Sequence, residues 1–292
     1  MAAIAHLGIV GLGLVGRALA ARAVAAGLTA SGYDVAPPAL EAARSHGVTP
    51  SHDLRALVAG SDALLVAVFD GAQLRDVVEE ALAHPVRPQL ILHAVTAEPE
   101  VSERLAYRCE AAQVAFVEMP LSGSSRQIAE GTALALVGAT DEAWARAETL
   151  VERLAPEHVH VGGPGAGARA KLATNLVLGL NRAALAEGLV FAETLGIEGA
   201  RFLELLRRSP AYSRAVDTVG PRMVAGDFAV QSRLSQHLKD LRLMIDAAAR
   251  AGIDLPLARA HAALLGDGET LGKGELDNAA VIAVLRERGA KT

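Results

Sequence analysis

Aromatic residues are scarce in this chain: Phe, Trp and Tyr together make up 3% of its 292 residues. Single-stranded nucleic acid is gripped by stacking bases on aromatic side chains, so that class of function is excluded. A basic field is missing as well. The formal net charge is −5, which leaves nothing to attract a polyanion and excludes DNA or RNA as the main partner. Cys109 is the only cysteine. One thiol can make neither an internal disulfide nor a multi-cysteine metal site, and a reducing cytoplasm is the expected compartment. The apolar run from Ile4 to Val15 lacks a basic leader, and Arg17 and Arg22 follow it at once, so it is not read as a signal sequence. No uninterrupted stretch reaches the roughly 18–20 apolar residues of a membrane helix, and no membrane partner is expected. Lysine is the last scarcity. Lys171, Lys239, Lys273 and Lys291 are the only lysines among 28 basic residues, so a lysine inside an apolar helix carries more information than usual.

Apolar residues make up 51% of the chain, enough for a large core, and the length suggests about two domains. The first part alternates short apolar runs with helical stretches. His6–Val10, Leu28–Tyr33, Asp62–Val68, Gln89–Ala94 and Val114–Val117 read as strands. Leu14–Ala26, Ala36–Ser45, Gln73–Ala83 and Pro99–Ala112 read as helices. Ala133–Val137 and His158–Val161 read as two further strands with a helix between them. Continuous apolar strands joined by helices predict a parallel sheet covered on both faces, hence a doubly wound α/β fold. The texture changes at Gly162-Gly163-Pro164-Gly165, after which strand signals stop. Ala168–Leu195 reads as one long helix, followed by helical stretches at Gly199–Arg207, Ser235–Ala251, Leu257–Leu265 and Asn278–Glu287. Two domains are expected, 1–162 and an all-helical 163–292. The long helix, apolar on several faces, is expected to be buried between domains or against another subunit.

Gly11-Leu12-Gly13-Leu14-Val15-Gly16 fits G-x-G-x-x-G between a strand and a helix. The first glycine makes a tight turn, the second admits a pyrophosphate to the backbone, and the third lets helix pack on strand. The helix start offers N–H groups to the phosphates. Asp34 ends the second strand, where a carboxylate accepts both ribose hydroxyls and repels a 2′-phosphate. NAD is therefore expected over NADP; the bland alternative for Asp34 is a cap before Pro37. Glu118-Met119-Pro120-Leu121-Ser122-Gly123-Ser124-Ser125 follows a strand at the ligand-binding edge of such a sheet. Its Ser-Gly turn suits a carboxylate, although ordinary turns look alike. Lys171 and Asn175 lie four apart on one face of the apolar helix. A buried amine there could exchange a proton with a substrate hydroxyl while Asn175 orients the same oxygen; a snorkelling Lys and a solvated Asn are the alternative.

Four ordered motifs carry a resemblance that covers nearly the whole chain. They are the N-terminal glycine loop, Pro120-Leu121-Ser122-Gly123 with its downstream Gly131, the Gly165-x-Gly167-x-x-x-Lys171-x-x-x-Asn175 segment, and Lys239-Asp240-Leu241. Together they resemble the β-hydroxyacid dehydrogenases, the group of 3-hydroxyisobutyrate dehydrogenase, tartronate semialdehyde reductase and threonate dehydrogenase, within a 6-phosphogluconate dehydrogenase-like superfamily. The resemblance implies a Rossmann domain, a helical domain on a long interdomain helix, a site between them and a homodimer or homotetramer. It implies that Lys171 is the general acid/base and that Asn175 and Asp240 lie at the substrate. It further implies that Ser122 and Gly123 hold the substrate carboxylate, with Thr96 and Lys239 beside the cofactor. Departures from the family pattern are Ser124 where a second glycine is usual, Val95 where a serine precedes Thr96, and His93 where Asp is frequent. The extra hydroxyls of Ser124 and Ser125 could serve a sugar acid or could stiffen the loop.

The implied activity is hydride transfer between a 3-hydroxy acid and a nicotinamide cofactor. Alternatives are a semialdehyde or imine reductase on the same scaffold, and a non-catalytic dinucleotide-binding regulator. No metal is expected, since His158 and His160 lack a third ligand. His237 reads as a surface helix histidine, Cys109 and Trp144 as helix packing, Arg207 and Arg208 as a solvated helix end. Arg233 reads as a residue that could meet an anionic substrate tail.

Overall fold

In the computed structural model, which describes residues 4–289, β1 (His6–Val10), α1 (Leu14–Ala25), β2 (Thr29–Tyr33), α2 (Pro37–Arg44), β3 (Thr49–Pro50), α3 (Leu54–Ala59) and β4 (Ala63–Val66) open the chain. Then follow α4 (Gly71–Ala83), β5 (Leu90–His93), α5 (Pro99–Ala111), β6 (Ala115–Glu118), β7 (Leu121–Ser122), α6 (Ser125–Glu130), β8 (Leu134–Gly138), α7 (Asp141–Leu154) and β9 (His158–Gly162). The sheet order is β3-β2-β1-β4-β5-β6-β8-β7, with β9 alongside β8. Strands β1 to β6 pair in parallel. The chain reverses direction between β1 and β4 in the order, which opens a crevice at their carboxyl ends.

The unbroken apolar runs have a direct cause. Along β4, Leu65 enters one core cluster with Ile9 and Leu92, while Leu64 and Val66 enter a second with Val10 and Ile91. Successive side chains point to opposite faces, and helices cover both, so every position must be apolar. The sheet also carries an antiparallel strand. β8 runs antiparallel to both β6 and β7. β7 has two residues, too few for any periodic signal, and Met119-Pro120 interrupts the chain just before it.

The chain divides into two compact units, residues 1–171 and 172–292. The second is all helical. It takes most of α8 (Ala166–Thr194), then α9 (Gly199–Arg207), α10 (Ala215–Thr218), α11 (Gly220–Ala225), α12 (Leu234–Arg250) and α13 (Pro256–Thr270). A short 3₁₀ turn at Asn278–Ala280 leads into α14 (Val281–Gly289). Its core gathers Leu185 and Leu189 of α8 with Leu238, Leu241, Leu265 and Ile282. The boundary falls later than the glycine break because the first turn of α8 is bonded to the first unit: Gly167 N–H donates to Glu118 Oε1 at 2.8 Å. α8 is long and apolar enough to cross a membrane by length and composition alone, but its Leu172, Leu185, Ala186 and Leu189 are buried in this core.

Candidate active site

The glycine loop has the geometry its spacing calls for. Gly11 has φ +88°, and a Cβ there would stand 2.5 Å from the Ala67 carbonyl oxygen past β4. A Cβ on Gly16 would stand 1.8 Å from the Gly11 carbonyl oxygen, so helix and turn touch backbone to backbone. A Cβ on Gly13 would meet nothing within 4 Å. No side chain caps the start of α1 at Gly13. Leu12, Leu14 and Val15 complete this loop and first turn. Open space at Gly13 beside a helix N-terminus fits a pyrophosphate, so the residues present fit a dinucleotide. Asp34, just past β2, accepts the Leu12 N–H at 2.7 Å through Oδ2 and the Ala36 N–H at 2.8 Å through Oδ1. Its carboxylate therefore ties the glycine loop to the end of β2.

Thr96 lies past the end of β5, half-buried, on the same parallel-sheet edge as the glycine loop. The next strand on that edge, β6, delivers Met119 to Gly123. Ser122 is half-buried, and a Cβ on Gly123 would stand 2.8 Å from Ala133 Cβ, so only glycine fits the turn. Gly131 closes α6 in the left-handed conformation at φ +74°. Lys171 lies in the second turn of α8 and is 7% exposed. Its Nζ donates to the Leu121 carbonyl oxygen at 2.7 Å, one residue before Ser122. The amine is thus buried and held beside the Ser-Gly turn, not extended to solvent.

One turn further along α8, Asn175 is 5% exposed and donates through Nδ2 to Asp240 Oδ2 at 3.0 Å. Asp240 Oδ1 lies 3.2 Å from Lys239 Nζ, so α8 and α12 together present a connected amide–carboxylate–amine row within the helical unit. Asp277 steadies the chain entering α12 and is itself buried. Its oxygens accept from Arg222, from the backbone N–H groups of Gln231 and Ser232, and from Ala279 N–H.

Several other side chains have defined places. Ser124 Oγ accepts the Gln127 N–H while Gln127 Oε1 accepts the Ser124 N–H, a capping box that starts α6. Its hydroxyl stiffens the loop. His237 corrects the surface reading: it is buried, its ring centroid lies 5.3 Å from that of His261, and its Nε2 would stand 2.2 Å from a Cβ on Gly179. A close crossing of α8 and α12 replaces the solvent that an amphipathic pattern suggests. His160 stacks on Trp144 at 5.2 Å. Arg233 Nε pairs with Glu275 at 3.0 Å, and Arg207 pairs with Asp217. Cys109 is fully buried, and burial pushes its thiol up to about 12. Sequence reasoning gave no role to Glu118, Asp277 or the Leu121 carbonyl. A lone buried acid at a strand end and a backbone oxygen leave no periodic or motif signal.

The family model described as the NAD binding domain of 6-phosphogluconate dehydrogenase matches residues 6–162. A second, described as NAD-binding of NADP-dependent 3-hydroxyisobutyrate dehydrogenase, matches residues 165–285. A Mycobacterium tuberculosis protein named "Probable 3-hydroxyisobutyrate dehydrogenase" is 29% identical over 264 residues, 88% of this chain and 90% of that one. The 2-hydroxy-3-oxopropionate reductase of Escherichia coli is 27% identical, with 85% and 86% of the two chains covered. Among solved structures, Mycobacterium tuberculosis 3-hydroxyisobutyrate dehydrogenase with L-serine superposes with a TM-score of 0.85 at 28% identity, covering 97% of this chain and 100% of that one.

Proposed function

Because the chain belongs to the β-hydroxyacid dehydrogenase family, the group of 3-hydroxyisobutyrate dehydrogenase and its relatives, we propose that it oxidises a small 3-hydroxy acid, or reduces the matching semialdehyde, with Lys171 as the general acid/base. The chain is an NAD(P)-dependent oxidoreductase. The bound nicotinamide supplies the hydride exchange; the protein supplies position and a proton carrier. Ser122 and Gly123 bind the substrate carboxylate through a backbone turn that no larger residue than glycine can make. Lys171 receives the hydroxyl proton in oxidation and returns it in reduction. Asn175, oriented by Asp240, aligns the same oxygen. We also assign Lys239, which pairs with Asp240, and Thr96 to binding the cofactor.

NAD is favoured over NADP. This reading is supported by the carboxylate of Asp34 at the end of β2 beside the glycine loop, and positions 35–43 hold no Lys or Arg to neutralise a 2′-phosphate. A cytoplasmic homodimer or homotetramer completes the proposal. Val177, Leu178 and Phe191 are exposed on α8, an apolar surface that a second copy would cover, and light scattering should return a mass of at least two chains.

The single observation that carries this reading is the buried Lys171 amine held at 2.7 Å to the carbonyl next to Ser122. The test is a spectrophotometric screen of 3-hydroxyisobutyrate, serine and threonate against NAD and NADP, followed by Lys171→Ala on the best pair. Turnover should fall roughly 10²–10⁴-fold, the usual worth of a positioned acid/base, with NAD affinity nearly unchanged. Wild-type turnover in Lys171→Ala would refute the assignment.

A further inference from the structure

Glu118 is fully buried at the end of β6, and among the described residues no Lys, Arg or His pairs with it. A carboxyl in that setting is costly unless something specific holds it. Four things do. Its Oε1 accepts the Gly167 N–H at 2.8 Å, in the first turn of α8. Burial pushes the carboxyl up, while the Ser102 hydroxyl and the amides of Gly167, Ala168 and Gly165 pull it back down. Ser102 Oγ in turn lies 3.2 Å from His93 Nε2. Burial holds His93 down at about 3, so its ring is neutral.

The slot around Glu118 is shaped by glycines. Gly138 faces it across the β6–β8 pair, and a Cβ there would stand 2.1 Å from Glu118 Oε1. A Cβ on Gly167 would stand 3.1 Å from Glu118 Cγ and 2.5 Å from the Leu136 carbonyl oxygen. Two backbones have given up side chains at the place where one acid is seated.

Glu118 and Leu121 lie three residues apart on the segment that becomes the Ser122–Gly123 turn. Gly167 and Lys171 lie four apart on α8. Two bonds cross-link the segments, Gly167 N–H to Glu118 and Lys171 Nζ to Leu121 O. We infer that Glu118 is a positioning residue that locks the first turn of α8 to the β6 end and so delivers the Lys171 amine to the carboxylate-binding turn. The inference deepens the Lys171 reading and rests on it for its kinetic consequence. The acceptor oxygen is what matters, so a neutral amide of the same shape should serve.

The experiment compares Glu118→Gln, Glu118→Leu and Glu118→Ala in the full chain, with 3-hydroxyisobutyrate and NAD as the assay pair. A substrate-free readout accompanies it: the chain has four lysines, so a 13Cε-lysine NMR spectrum is sparse, and Lys171→Ala identifies the Lys171 resonance by its loss. Glu118→Leu should lower kcat at least tenfold, leave the NADH dissociation constant within twofold, and shift the Lys171 resonance. Glu118→Gln should keep at least half of kcat and leave that resonance in place. Adding Glu118→Leu to Lys171→Ala should cost nothing further, because the one acts through the other. If Glu118→Leu does not fold, Glu118→Ala takes its place, and if neither folds, Glu118→Gln decides. A folded Leu or Ala variant with unchanged kcat and an unmoved resonance overturns the inference. So does an undiminished effect in the Lys171→Ala background, or a folded Gln variant with kcat below one tenth. If instead Lys171→Ala keeps wild-type turnover, the acid/base reading fails, while the NMR shift still reports whether Glu118 holds the amine.

Discussion

At the scale of single residues, three carboxyls organise this protein, and each does so by accepting backbone N–H groups. Asp34 ties the glycine loop to β2, Glu118 ties α8 to β6, and Asp277 ties the chain before α12 to the 3₁₀ turn beyond it. Asp34 is the most direct to test. A charged hydrogen bond to a ligand is worth about 1.5–3 kcal/mol, or roughly one to two powers of ten in affinity. Asp34→Ala should therefore raise the NAD dissociation constant at least tenfold and narrow the gap to NADP. Fluorescence titration with both reduced cofactors reads this directly, and an unchanged NAD:NADP ratio would remove Asp34 from the cofactor site. The motif points to Asp34 from its position alone. Nothing comparable marks Glu118, because its value comes from Gly138 and Gly167, which are distant in sequence and meet only once the sheet has formed.

At the scale of elements, the long periodic ones are legible and the short ones are not. β1, α1, α4, α5 and α9 start and stop within two residues of where apolar runs, prolines and glycines put them. α3, α6, α10 and α11 have six residues or fewer, and β3 and β7 have two. Such pieces are held by caps and tertiary contacts, as when Asp53 Oδ1 accepts the Ala56 N–H at 2.6 Å to start α3, and a window of several turns averages them away. The glycine loop is an element-scale device and carries its own prediction. Gly16→Ala pushes a Cβ into the Gly11 carbonyl, so α1 must move off β1. A loss of about 1–3 kcal/mol in unfolding free energy is expected from overpacking, together with loss of measurable NAD binding. Thermal melting with and without NAD separates the two: the variant should melt lower and gain no stabilisation from the cofactor.

At the scale of the whole molecule, two buried histidines make stability fall in acid, one in each unit. His93 belongs to the first unit, with burial holding it at about 3, and His261 to the second, with burial and the nearby Arg182 charge holding it at about 4. Both values lie below the ordinary 6.5, so the unfolded chain binds these protons first. Stability is intact above pH 6.5 and declines as pH falls toward the folded values, by about 1.4 kcal/mol per unit for each group. Between pH 6.5 and 5 each unit should lose roughly 2 kcal/mol. Urea unfolding at pH 7.5, 6 and 5 should show this decline, and His261→Leu should remove it from the helical unit alone. A parallel decline in wild type and variant would mean that other groups carry it.

The sequence by itself determined the family, because glycine spacing and a set of ordered short motifs are local patterns. It also determined the order of the main strands and helices, since hydrophobic period is a local property. Tertiary structure decided what holds those groups in place: the antiparallel turn of β7 and β8, the burial of His237 against Gly179, and the glycine-lined slot that anchors α8 through Glu118. Each of these arises where distant segments come within hydrogen-bond or van der Waals reach, and that information is absent until the chain has folded.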